Sequence, residues 1–123
     1  MESILTSIKK LLGIAADYEQ FDTDIIIHIN SAFSTLTQLG VGPSGGFVIQ
    51  DETSTWSDFT ADDPRLEFVK TYIYLKVRLV FDPPTTGSVI EAIKQNISEY
   101  EWRLMIAADQ VKSTGEEENQ NGE

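Results

Sequence analysis

The most regular stretch of the chain runs from Asp63 to Pro84, DPRLEFVKTYIYLKVRLVFDPP. Asp63 offers a capping acceptor, Pro64 suits the first helical position and Pro83-Pro84 cannot continue a helix, so the stretch predicts one helix of about five turns. At 100° per residue it carries two apolar faces. Leu66, Val69, Ile73, Val77 and Val80 form one, and Phe68, Tyr72, Leu75 and Leu79 the other, with Arg65 and Lys76 between them on one side. A surface helix needs only one stripe. The pattern therefore predicts either the central member of a bundle, packed on both sides, or a helix whose second face, with Phe68 and Tyr72, meets another chain.

Three further segments follow helical spacing or break it. Residues 3–12 put Ile4, Ile8, Leu11 and Leu12 on one face between a capping Ser3 and a stop at Gly13, a short helix that needs a partner to persist. Residues 22–39 open at Asp22-Thr23 and close at Gly40, with Ile25, Ile29, Ala32, Phe33, Leu36 and Leu39 inward. Ile27 falls on the opposite side, as either an ordinary exposed isoleucine or part of an interface, and His28, the single histidine, lies at the edge of the stripe. From Gly40 to Asp62 the periodicity fails and a long loop is predicted. Phe47, Val48 and Ile49 can form a short extended piece there. Trp56 with Phe59 either pins the loop to the bundle or reaches an interface.

After Pro84, Thr85, Thr86 or Ser88 can cap a last helix reaching about Val111, with Val89, Ile93, Ile97, Tyr100, Leu104 and Ala107 as its inward stripe. Trp102, Met105 and Ile106 lie off that stripe, together near the C-terminal end. Three large apolar side chains on an otherwise polar face point to a contact with another chain, packing under the long loop being the alternative. The fold class expected is all-α, a small bundle of about four helices with a long loop between the second and third major ones.

Composition narrows the possibilities. A chain of 123 residues makes one domain. Residues 1–112 hold the helical pattern, and residues 113–123, STGEEENQNGE, have no apolar side chain and are expected to be a disordered acidic tail. Cysteine is absent, which excludes disulfides and thiolate metal sites. The apolar runs are too short to span a bilayer and the N-terminus lacks signal-peptide order, so a cytoplasmic product is expected. The net charge of −11 is unevenly spread: residues 1–63 carry ten acids and two bases, residues 64–112 six and seven, residues 113–123 four and none. This disfavours general binding to nucleic-acid phosphates and suits an acidic face of one copy meeting a more basic face of the next, or a solvated acidic surface.

Catalytic chemistry is poorly supported. His28 has no nearby nucleophile, GVGPSGG lacks the Lys-Ser/Thr of a phosphate loop, and the acids at 51, 52, 58, 62 and 63 lack calcium-loop spacing. No catalytic residue, cofactor or metal ligand is assigned.

FDTDIIIHINSAF (21–33), LGVGP (39–43), TWSDF (55–59), VKTYIYLKVRLVFDPP (69–84) and ISEYEWRL (97–104) together resemble the small helical head-tail connector proteins of tailed bacteriophages and prophages, also called head-completion or adaptor proteins. The resemblance covers most of residues 3–108. It implies a structural virion protein of the phage neck that assembles as a ring beneath the portal protein, extends the DNA channel and offers a docking surface to the tail or a stopper protein. Ring closure needs two different patches per subunit. The interface residues to be tested are Ile27, Trp56, Phe68, Tyr72, Trp102, Met105 and Ile106. An acidic interaction protein that mimics DNA toward a host protein is the competing reading, and a small carboxylate metalloenzyme the third.

Overall fold

A computed structural model describes residues 2–59 and 66–121, with the backbone alone for Leu66 and for residues 110–121. The chain is all-α, with helices α1 (Ile4–Leu12), α2 (Asp22–Gln38), α3 (Trp56–Phe59), α4 (Leu66–Phe81) and α5 (Gly87–Asn121). The expected cap at Asp63-Pro64 lies outside the described residues.

Local chemistry accounts for the ends of α1. Ser3 Oγ accepts a hydrogen bond from the Thr6 amide at 3.2 Å, and Gly13 closes the helix in the left-handed region at φ 82°. Leu5 joins Ile4 and Ile8 on the buried face, whereas Leu11, assigned inward by its spacing, is exposed. In α2 the acids Asp22 and Asp24 occupy the first turn, where the helix dipole favours them, although no side chain caps the helix. Ile25, Ile29, Ala32, Phe33 and Leu36 are fully buried along one stripe.

The two apolar faces of α4 are explained by its position. It packs against α2, α5 and α1, with Val69, Tyr72, Ile73 and Val77 all in the core. Val80 continues the same stripe but is exposed at the helix's last turn. α5 runs back along α4 and contributes Ile93, Ile97, Leu104 and Ala108. Its backbone stays helical to Asn121, past residue 112, where the helical domain was expected to end and the tail to begin. No residue from 113 to 121 is apolar.

The loop between α2 and α4 is irregular, yet it is fastened at several points. Asn30 in α2 acts as a surrogate backbone: its Oδ1 accepts from the Ile49 amide at 2.8 Å and its Nδ2 donates to the Ile49 carbonyl at 3.0 Å. Phe47 and Phe59 pack with Phe33 of α2 at ring separations of 5.0 and 4.9 Å, and with each other at 5.4 Å. Gly42, at φ 87°, passes so close to Phe59 that a Cβ would overlap its ring. Both constraints demand glycine there. Farther on, the Ile4 amide donates to the Ser54 carbonyl at 3.0 Å and the Trp56 amide to the Glu2 carbonyl at 3.3 Å, forming an isolated antiparallel bridge between Ser3 and Thr55.

One buried cation organises the turn between α1 and α2. The Lys9 ammonium, withdrawn from solvent, donates to the carbonyls of Ala16 at 3.0 Å and Tyr18 at 2.7 Å. It also lies 2.8 Å from Asp22 Oδ1, a close ion pair rather than a directed hydrogen bond. Burying an ammonium is costly unless acceptors surround it, and here the linker supplies two and the first turn of α2 the charge.

Candidate functional site

The seven residues singled out from the sequence separate into two groups. Trp56 and Tyr72 are buried within the subunit, so neither presents a surface to another chain. Trp56 packs 6.4 Å from Phe33, its Nε1 donates to Ser7 Oγ at 3.0 Å, and Lys70 lies 5.7 Å from its ring. The indole thus closes the core beneath the long loop and satisfies its one donor there.

Tyr72 sits where α4 meets α5. Its hydroxyl donates to Glu101 Oε2 at 2.7 Å, and Lys76 stands 4.0 Å from that carboxylate and 6.0 Å from the Tyr72 ring. Burial, reinforced by the hydrogen bond to Glu101 and its negative charge, pushes the Tyr72 hydroxyl far above its ordinary value of 10.0. The folded chain therefore retains a proton that the unfolded chain releases. The stabilisation is complete below pH 10 and is lost as the pH rises beyond it. Tyr72→Phe is expected to cost about 1 kcal/mol at neutral pH and to flatten the decline in stability above pH 10, as read by urea unfolding at pH 8 and pH 11. An unchanged alkaline slope would locate that dependence elsewhere.

The other five side chains reach solvent. Trp102 is 62 % exposed, Ile27 55 % and Phe68 44 %, while Met105 and Ile106 are partly exposed. Trp102 and Ile106 occupy positions on α5 that face away from the Ile97, Leu104 and Ala108 stripe, and half-buried Met105 lies between them and that stripe. Ile27 stands alone on the outer side of α2.

Phe68 belongs to a feature that periodicity did not disclose. Its ring lies 5.8 Å from Tyr100, and between them opens a groove of about 240 Å³ lined by Phe68, Asn96, Glu99, Tyr100 and Arg103. A smaller apolar recess of about 110 Å³ continues it toward Leu104 and Ala107. Arg103 is already paired with Glu99 at 2.6 Å, so the rim of the groove is polar but locally neutral. Helical spacing alone places Tyr100 wholly in the inward stripe. The signal that could have revealed the groove is the Glu99/Arg103 pair at i, i+4, placed beside an aromatic that only half fits the core.

A second partly exposed aromatic group lies where the α1–α2 linker meets α4. Phe21 packs edge-on against Phe81 at 5.4 Å and against Tyr18 at 5.7 Å. The segment also carries Asp17, Glu19, Asp22 and Asp24 within eight residues, making it acidic around an apolar centre.

Nothing described resembles a reaction centre. Among the described residues there is no group of three or more His, Cys, Asp or Glu able to hold a metal ion, and no helix is long and apolar enough to cross a membrane.

A protein-family model described as "Phage connector protein" matches residues 4–111, which spans α1 through most of α5. No curated protein and no solved structure gives a match.

Proposed function

Because the chain belongs to the phage connector family, we propose that it works as a structural part of the virion neck, assembling as a ring that joins the portal of the capsid to the tail and prolongs the DNA channel. The match across nearly the whole helical bundle carries this reading. Two properties of the subunit support it. It is a packed bundle with apolar side chains left over, and it places them in separate patches, as a head-to-tail contact requires.

Function in this reading is geometric. Trp102, Met105, Ile106, Ile27 and Phe68 supply the contact surface, while Trp56 and Tyr72 hold the subunit in the shape that presents it. Covering about 500 Å² of apolar surface is worth on the order of 12 kcal/mol before association and ordering costs, leaving contacts that range from weak to tight. The isolated chain can then be monomeric and assemble on the portal, where neighbours are brought together. The acidic first 63 residues, with ten acids against two bases, suit a wall past which DNA slides without being held by lysine and arginine.

The test is recovery of partners from infected or induced cells through an affinity-tagged chain. Co-purification of portal and tail-completion proteins, together with the presence of the chain in purified particles, is the expected result. Recovery of a host DNA-binding protein and absence from particles would replace this reading with that of an acidic mimic.

A further inference from the structure

We infer that Trp102 of one copy inserts into the Phe68/Tyr100/Arg103 groove of a second copy of this chain, so that neighbouring α5 helices lie side by side. The inference rests on the ring reading and specifies the contact that would build the ring. Three observations lead to it.

First, the chain carries both halves of a knob-and-hole contact. Trp102 is the most exposed of its aromatic side chains at 62 %, and the groove of about 240 Å³ already has two aromatic walls, Phe68 and Tyr100, 5.8 Å apart. An indole entering there meets aromatic rings and the face of a guanidinium, the partners that indole prefers.

Second, knob and hole lie at the same level. Trp102 lies between Tyr100 and Arg103 in the sequence, two residues after one and next to the other, both lining the groove, and points roughly 100° round the helix from Arg103. A second copy can therefore fill the groove by rotation about an axis parallel to α5 and set off from it, with almost no translation along it. A contact between two different patches without rise is the kind that closes into a ring rather than climbing into a fibre.

Third, charge permits it. The chain as a whole carries −11, which opposes self-association across most of its surface. At this level of α5 the charges cancel locally, Glu99 against Arg103, so like copies meet here without a repulsive field. The neutral rim likewise gives no purchase to a strongly charged partner.

The absence of cysteine makes the contact directly testable. Ser98 lies one turn before Trp102 on the knob side, and Asn96 lines the groove; both are exposed. The full-length variants Ser98→Cys and Asn96→Cys are mixed and oxidised at high protein concentration, and are also co-expressed so that both enter assembling particles. Mixed dimers are expected at least tenfold above the homodimers formed by either variant alone, and adding Trp102→Ala to the Ser98→Cys chain is expected to remove them. Dominant Ser98→Cys homodimers, or crosslinks from Asn96→Cys to portal instead, would overturn the proposal. Particles that contain both variants without a mixed dimer would overturn it while leaving the connector reading intact. Particles that exclude even the wild-type chain would remove the connector reading and this contact with it.

Discussion

Trp56→Ala is expected to lower the stability of the isolated chain by about 3–5 kcal/mol, the range for emptying a fully buried aromatic site. Trp56 is 1 % exposed, and its indole joins three elements: Phe33 of α2, Ser7 of α1, and Lys70 of α4. Alanine would leave a cavity, strand Ser7 Oγ without its donor, and loosen the bridge by which residues 54–56 hold the chain before α1. Since domains of this size are stable by only about 5–15 kcal/mol, the midpoint of thermal unfolding is expected to fall by roughly 10–20 °C. Trp56→Phe is the milder change, because it keeps a six-membered aromatic ring while losing the Nε1 donor and part of the indole volume, at a cost of about 1–3 kcal/mol. Thermal and urea unfolding of the three chains measures both. A change below about 1 kcal/mol for the alanine variant would mean that the indole is not a structural keystone.

The other tryptophan is expected to behave in the opposite way. Trp102→Asp changes a side chain that is 62 % exposed, on a helix whose buried stripe of Ile97, Leu104 and Ala108 it does not touch, so stability is expected to move by no more than about 0.5 kcal/mol. Assembly is expected to fail. An aromatic anchor at the centre of a contact is typically worth 2 kcal/mol or more, roughly 30-fold in affinity, and a ring repeats the loss at every subunit. The measurements are circular dichroism and thermal unfolding of the purified variant, followed by its incorporation into particles and its ability to restore infectivity. A variant that fails to fold would place Trp102 in the core; one that folds and assembles normally would remove the α5 surface from the mechanism.

The contrast between the two tryptophans also shows what a sequence displays. Helices announced themselves through local chemistry: Ser3 and Gly13 bracket α1, the Ile25–Ile29–Phe33–Leu36 spacing marks α2, and Pro83-Pro84 follows α4. The twin faces of α4 were legible as two stripes, and packing against α2, α5 and α1 accounts for both. The fates of Trp56 and Tyr72 were not legible. Each is decided by a partner far along the chain, Ser7 for one and Glu101 for the other, and periodicity carries no information about such pairs. Lys9 makes the same point more sharply. It adjoins an exposed Lys10, yet it is buried because carbonyls of Ala16 and Tyr18 turn toward it, and backbone acceptors leave no signature in side-chain identity. At the surface, an apolar residue off its stripe was visible for Ile27 and Trp102, whereas the groove beside Phe68 exists only once α4 and α5 lie together.

The bridge between residues 2–4 and 54–56 has a consequence for how the chain is made. While the ribosome is still extending the polypeptide, α1 is only partly covered: α2 follows it directly, but the rest of its greasy face waits for Trp56 and then for α4, which ends at Phe81. At the usual 5–20 residues per second, the interval from the end of α1 to the end of α4 lasts roughly 3–14 s. During that time Ile4, Leu5 and Ile8 lack their full cover, so the wait for α4 sets how long each newborn subunit stays vulnerable to the wrong neighbour.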